Sequence, residues 1–270
     1  MIKILGIINV NEDSFYAASR TTADGAVLRA AQLLSEGADI LDIGAASTRP
    51  GAGLLTEREE WKRLEEALKG IRKAFPEAHI SIDTYNSGTI RRAYDAVGPI
   101  MVNDISAGAL DKDMLPTVGK LGLEYIAMHM RGTPRTMMAM ATYDDVVSAV
   151  KGYFWEFAAK AEDAGIKDWI LDPGFGFAKT VKQNYELLAR LDELKVLGRP
   201  ILAGMSRKSM AYKPLDITPE EALPATQVLN FKALEGGATW LRVHDVAETL
   251  RTVKLFEILL ASTHPHQNAL

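Results

Sequence analysis

The 270-residue sequence predicts an α/β protein, a (β/α)₈ TIM barrel built as a single domain. Three observations point there. Short β-branched runs alternate with longer amphipathic stretches from one end of the chain to the other, the signature of a parallel sheet with right-handed crossovers. The short runs are near-continuously apolar, as strands buried on both faces are. Roughly eight such units fit the length, and no composition shift or Pro/Gly/Ser linker marks a domain boundary. An open doubly wound sheet is the rival, but no G-x-G-x-x-G opens the first helix.

Strands are expected at Lys3–Val10, Asp39–Gly44, His79–Thr84, Ile100–Ile105, Glu124–His129, Asp168–Asp172, Pro200–Met205 and Thr239–His244. Helical patterns lie between them at Ala26–Glu36, Thr56–Phe75, Thr89–Val97, Asp113–Leu121, Tyr143–Ala164, Val181–Leu197, Pro219–Glu235 and Ala247–Ala261. The second helix opens with Thr56 and Glu59 at capping-box spacing. Gly37, Gly122, Gly165, Gly198 and Gly237 hand helices over to strands, where a residue without Cβ lets the last carbonyls be satisfied. The barrel domain is expected over residues 1–263, with 264–270 a polar, frayed tail whose His264 and His266 read as loose terminus before they read as ligands.

Composition removes several classes of function. The formal net charge is −4, which argues against electrostatic nucleic-acid binding, so any anion site must be a local cluster. The chain has no cysteine, which excludes disulfides and thiolate metal sites or nucleophiles. The apolar N-terminal run meets Asn9 before it reaches signal-sequence length, and no window is long and apolar enough to span a membrane. A cytoplasmic location is expected.

The stretch Ile170-Leu-Asp-Pro-Gly-Phe-Gly-Phe-Ala-Lys179 shows the recurring layout: a buried strand delivers a carboxylate, Asp172, into a glycine- and aromatic-rich loop. Barrel loops at the C-terminal strand ends converge over one mouth. Those ends read Asn9; Asp42 with Ser47-Thr48-Arg49-Pro50; Asp83; Asn103-Asp104; His129; Asp172; Ser206-Arg207-Lys208; and Arg242 with His244. A polar group at nearly every tip argues for a polar ligand, since each must be hydrogen-bonded or lose stability.

Two groups separate by chemistry. Asp83, Asn103, Asp172 and Lys208 suit a flat heterocycle with an amidine-like N–H edge. Arg49, Arg242 and His244, with Asn9, form a cationic corner suited to a phosphate or diphosphate. Simpler readings stand beside these. Asp83 taken alone is best explained as a cap on the following helix, Asp42 and Asp104 equally as partners of neighbouring loops, and His129 as a satisfied interior histidine. Met137-Met138-Ala-Met140 reads as packing and loop filler. No Cys or Ser–His pair stands out as a nucleophile, so catalysis is expected from charge stabilisation and positioning.

At these residues the chain resembles the dihydropteroate synthases of the pterin-binding barrel family. The likeness runs nearly the whole length, in order. It passes through Gly6-Ile-Ile-Asn-Val10 with Asp13-Ser14-Phe15, Gly37-Ala-Asp-Ile-Leu-Asp-Ile-Gly44, Ser47-Thr-Arg-Pro-Gly51, Ser81-Ile-Asp-Thr84 and Asn103-Asp-Ile-Ser106. It continues through Met128-His-Met-Arg-Gly-Thr-Pro134, Asp172-Pro-Gly-Phe-Gly-Phe177, Ser206-Arg-Lys-Ser209 and Arg242-Val-His-Asp-Val246. Each segment is weak alone; together and in this order they are highly specific.

The resemblance implies condensation of 6-hydroxymethyl-7,8-dihydropterin pyrophosphate with p-aminobenzoate, giving 7,8-dihydropteroate and pyrophosphate for folate synthesis. It implies that Asp83, Asn103, Asp172 and Lys208 hold the pterin, with Met128 packed on it. Asn9, Arg49, Arg242 and His244 would bind the pyrophosphate, Asn9 through a Mg²⁺. Thr48 would sit near the reacting methylene. Phe15, Pro50, Phe177, Ser206 and the stem of Lys208 would form the p-aminobenzoate slot. The implied mechanism is dissociative, the implied assembly a homodimer, and the arylamine slot a sulfonamide target; no nucleic acid or membrane partner is implied.

Three departures from the family pattern stand out. Ala17 and Ala46 occupy positions where the first two loops usually carry a carboxylate, and Ala178 replaces a usual glycine before Lys179. An alternative of another reaction class is a pterin-binding methyltransferase passing a methyl group from methyltetrahydrofolate to a corrinoid protein. It shares the Asp/Asn/Asp set but has no use for Ser206-Arg-Lys-Ser209 and Arg242-Val-His244. A pterin-binding relic with impaired loops is the third reading.

Overall fold

A computed structural model describes residues 1–10, 22–45 and 53–263 of the chain. Eight strands form one parallel sheet in the order β6-β5-β4-β3-β2-β1-β8-β7. They are β1 (Lys3–Asn9), β2 (Ile40–Gly44), β3 (His79–Asp83), β4 (Met101–Asp104), β5 (Tyr125–Met128), β6 (Trp169–Asp172), β7 (Leu202–Ala203) and β8 (Trp240–Val243). The sheet closes through an isolated parallel bridge from Leu171 to Ile201, beside a hydrogen bond from Leu171 N to Pro200 O at 3.0 Å. All eight expected strands are present, and the barrel is the predicted one.

The helices are α1 (Thr22–Glu36), α2 (Glu57–Ala74), α3 (Ser87–Val97), α4 (Met114–Leu121), α5 (Val146–Asp163), α6 (Val181–Ala189), α7 (Ser209–Tyr212), α8 (Leu223–Glu235) and α9 (Val246–Thr263). The expected capping box opens α2: Thr56 Oγ1 accepts from Glu59 N at 3.3 Å and Thr56 N donates to Glu59 Oε2 at 3.0 Å. The five handover glycines all have positive φ.

Some boundaries differ from expectation. The pattern at Val181–Leu197 splits into α6 and a 3₁₀ segment, Leu191–Leu197, because Arg190 leaves helical geometry. Its guanidinium there gathers Glu193 at 2.6 Å and Asp145 at 3.0 Å, while the 3₁₀ spacing buries Leu191 and Leu194 on one side. Helix α8 starts later than Pro219, because Thr218 N is taken by Glu221 Oε2 at 2.9 Å and residues 218–222 form turns. Strand β7 is only two residues long, and α7 had no counterpart in the sequence reading.

The barrel interior explains how the strands place polar groups. Leu5, Ile40, Met101, Ile126, Ile170 and Leu202, with Trp240 against them, form a closed apolar layer across seven strands. Side chains on a strand return to the same face every second residue. Two positions further on, the same strands present Ile7, Asp42, Asn103, Met128, Asp172, Gly204 and Arg242, and β3 presents Asp83 above buried Ser81. The change from apolar to polar layer is abrupt. A dry floor thus lies directly beneath a polar mouth.

Candidate active site at the strand ends

Register sets the row of groups at the mouth. Asn9 lies beside Gly44, Gly44 beside Asp83, and Asp83 beside Asn103 across β1 to β4; Met128 lies beside Asp172 across β5 and β6. A Cβ on Gly44 would stand 3.1 Å from Asp83 Cβ, so the glycine leaves room for that side chain.

The two groups expected to be separate are joined. Arg242 Nε donates to Asp42 Oδ2 at 2.6 Å and its Nη2 donates to Asp83 Oδ2 at 2.6 Å. Asn103 Nδ2 reaches the same Asp42 carboxylate at 3.1 Å. Asp83 is therefore not a helix cap; Asn86 stands at the N-cap of α3. Burial pushes the Asp83 carboxyl up, against the pull of Arg242 and with Asp42 adding to the rise. Burial pulls Arg242 down, but Asp42 and Asp83 outweigh it and hold the guanidinium charged, above its ordinary range.

Asp172 Oδ1 accepts from Gly174 N at 2.7 Å. Burial raises its pKa, while Lys208 and Arg242 both work to lower it. Lys208 Nζ and Arg242 Cβ both border Gly204, each 3.7 Å from where a Cβ there would stand. Lys208 Nζ donates to Phe175 O at 2.7 Å and lies 4.8 Å from the Phe177 ring centroid, a cation–π contact. Burial brings Lys208 down to about 8, opposed by Asp172. Met128 and Phe177 share a small apolar cluster with Tyr85, Ile105, Met130, Met137 and Ala178 beside these polar groups. Met137 is indeed packing, while Met138 and Met140 are exposed.

The structure does bring one serine and one histidine together. Ser206 Oγ lies 3.0 Å from His244 Nδ1 and accepts from His244 N at 3.2 Å. In the tautomer in which the Ser206 hydroxyl donates to Nδ1, the ring proton sits on Nε2, facing away from the serine. Burial, followed by Arg242, pushes His244 down to about 4. That shift favours the neutral imidazole near pH 7, and so weak a base does not make Ser206 a nucleophile. Arg207, adjacent in sequence to Lys208, turns away into a two-point pair with Asp245 at 2.9 and 2.8 Å.

Sequence reasoning assigned three groups no part in the site. Asp42, fully buried, organises both Arg242 and Asn103. Glu60 accepts from Thr84 Oγ1 at 2.6 Å, from Asn86 Nδ2 at 3.0 Å and from Thr89, fastening the turn after Asp83. Its signal was a carboxylate on the buried stripe of α2, four residues before Leu64. Lys179 is 2% exposed and bonded to His129 Nδ1 at 2.9 Å; burial brings it down to about 7, opposed by Asp172. Of the two options left open for Asp104, the structure shows the structural one: it accepts from Ser106, Gly108 and Tyr125.

The sequence family described as "Pterin binding enzyme" matches residues 5–244. The chain is 39% identical to the dihydropteroate synthase of Escherichia coli strain K12 over 262 residues, 96% of this chain and 92% of that protein. It is 38% identical to that of Haemophilus influenzae over 258 residues, 94% of this chain and 93% of the other. It belongs to the dihydropteroate synthase family. Among solved members, the Yersinia pestis dihydropteroate synthase in a sulfonamide drug complex superposes with a TM-score of 0.90 at 34% identity, covering 96% of this chain and 94% of that one. The Xanthomonas albilineans dihydropteroate synthase with 7,8-dihydropteroate gives 0.86 at 33%, covering 96% and 94%.

Of the dihydropteroate synthase positions named from the sequence, Asn9, Asp83, Asn103, Met128, Asp172, Phe177, Ser206, Lys208, Arg242 and His244 fall at or directly beyond the C-terminal strand ends. Phe15, Thr48, Arg49 and Pro50 lie outside the described residues, as do Ala17, Ala46 and the tail 264–270. Ala178 is described, at φ +47. That left-handed conformation gives the family's usual glycine there a physical reason.

Proposed function

We propose that the chain condenses 6-hydroxymethyl-7,8-dihydropterin pyrophosphate with p-aminobenzoate to give 7,8-dihydropteroate and pyrophosphate. The observation that carries this reading is the convergence of Asp83, Asn103, Asp172 and Lys208 with Arg242 and the Ser206–His244 pair on one mouth above an apolar floor. A carboxylate takes two parallel N–H bonds from a pterin edge; Asp172, with Asn103 beside it, supplies that recognition. Met128 packs on the ring. Arg242 and the His244 Nε2–H donate to the diphosphate, and Arg49 and Thr48 add to that side. Phe15, Pro50, Phe177, Ser206 and the stem of Lys208 hold the arylamine.

The reaction breaks the C–O bond between the pterin methylene and the diphosphate first. The electron pair leaves with the diphosphate, where Arg242 and His244 stabilise it. The cation left on the pterin faces Asp83 and Asp172. The amine nitrogen of p-aminobenzoate then forms the C–N bond and sheds one proton.

Among the described residues no three His, Cys, Asp or Glu groups gather to hold a metal. A single carboxamide oxygen from Asn9, with phosphate oxygens and water, is a donor set that suits Mg²⁺ arriving with a diphosphate. Bound there, Mg²⁺ supplies charge neutralisation on the departing group.

The assembly on this reading is a homodimer, and Leu255, Ile258, Leu259 and Leu260 of α9, exposed beside Val228 of α8, offer an apolar face for it. No described helix is long and apolar enough to cross a membrane. On the same reading the enzyme works in the cytoplasm, residues 1–263 are its one domain, and sulfonamides compete for the arylamine slot.

The test is to incubate the protein with Mg²⁺, the pterin pyrophosphate and p-aminobenzoate. Pyrophosphate release that needs both substrates supports the reading. Tight pterin binding without turnover would leave a binding protein, and methyl transfer to cobalamin would favour the corrinoid alternative.

A further inference from the structure

Lys179 takes no part in the chemistry above, yet it sits buried at the mouth with three polar partners around its Nζ. Its Nζ lies 2.9 Å from His129 Nδ1, 3.0 Å from Gly174 O and 3.1 Å from Phe177 O. With Lys179 as the ammonium, Nδ1 of His129 accepts and the ring proton sits on Nε2. Three acceptors thus match the three donors of the charged form, the form that burial disfavours and Asp172 supports.

We propose that Lys179 is a positioning residue for the arylamine slot: its ammonium ties the loop of residues 173–179 to the end of β5 and so fixes Phe177. This rests on the proposed condensation. The loop lies directly on β5, since a Cβ on Gly174 would come 2.1 Å from His129 O. Phe177 N also donates to Gly174 O at 3.0 Å, so Lys179 grips both ends of one tight turn. Within the turn, Gly176 N is held by Asn184 Oδ1 at 2.8 Å, and Asn184 Nδ2 returns to Lys179 O at 3.3 Å. Ala178, between Phe177 and Lys179, adopts φ +47, a strained conformation for a residue with a Cβ, which this grip maintains. The Phe177 ring is thereby presented beside Lys208 Nζ.

A lysine that merely stabilises the barrel rim would lower stability without singling out Phe177. A double-mutant cycle separates the two roles. Lys179→Met and Phe177→Ala are each expected to raise the KM for p-aminobenzoate about 10-fold, with a smaller change in kcat. The double variant is expected to stay within about twofold of Phe177→Ala, because the lysine acts through the ring. An unchanged KM in Lys179→Met, or effects that multiply in the double variant, would overturn the proposal.

Should Lys179→Met not fold, His129→Leu removes one acceptor and is expected to raise the same KM, while His129→Gln, which offers an amide oxygen, restores it; equal behaviour of the two overturns the role. The ¹⁵N spectrum of His129 reads the tie without turnover. The Nε2–H tautomer is expected in the unsubstituted protein, and a mixture of tautomers there would sink the proposal even if the condensation itself proved wrong.

Discussion

Arg242 Nη2 meets Asp83 Oδ2 at 2.6 Å across 159 residues of sequence, while its Nε holds the fully buried Asp42 at 2.6 Å. The cation proposed to face the diphosphate is thus bonded directly to a carboxylate proposed to face the pterin. Removing it by Arg242→Ala leaves a buried carboxylate unpaired, at a cost of about 3–5 kcal/mol in unfolding free energy. Chemical denaturation measures that loss. Calorimetry should also show that Arg242→Ala weakens the pterin pyrophosphate far more than the free pterin alcohol; equal losses would contradict the anion role.

Asp172→Asn keeps the acceptor Oδ1 for Gly174 N but removes the charge facing the proposed N–H edge. Pterin affinity should fall by about 1–3 kcal/mol, the range of a charge-assisted hydrogen bond. Titration calorimetry with the pterin alcohol checks it, and unchanged affinity would take Asp172 out of the site.

His244 should be neutral at pH 7, protonated on Nε2, with an NMR titration midpoint near the value of about 4 that burial and Arg242 impose. The unfolded chain, with an ordinary histidine near 6.5, binds more protons between those two values. Native stability therefore falls as pH drops through that window and is fully present above it. Denaturation midpoints measured from pH 7 to 4 should lose part of this slope in His244→Asn. A midpoint near 6.5 in the native protein would refute the neutral-donor role.

The fold was legible because strand and helix periodicities differ and glycines mark the handovers. The mouth was legible because strand-end residues in a barrel converge whatever their separation in sequence. Pairings within the mouth were not. Nothing in Leu-Asp42-Ile tells which distant cation that carboxylate takes, and Ser206 and His244, 38 residues apart, gave no sign of their contact. Charge state escaped as well: His244 reads as a cation in sequence, while burial and the neighbouring Arg242 both favour its neutral form. Arg190 broke a continuous helical pattern because three carboxylates waiting around it are invisible to periodicity.

Ala178→Gly should stabilise the protein by about 1 kcal/mol, since Ala178 holds φ +47 where a Cβ crowds the backbone and glycine does not. The gain is net of glycine's greater entropy loss on folding. Urea unfolding measures it; a destabilised variant would mean that the Ala178 methyl packs against Met128 and Phe177 more favourably than its backbone is strained.

The central claim is that one mouth receives both a flat heterocycle and a diphosphate. A crystal structure with the pterin pyrophosphate bound tests it most directly. The ring should lie against Asp172 and Asn103 on the apolar floor, with the phosphates within hydrogen-bond distance of Arg242 and His244 Nε2. Ring density at the opposite end of the barrel, or phosphates turned away from Arg242, would contradict it.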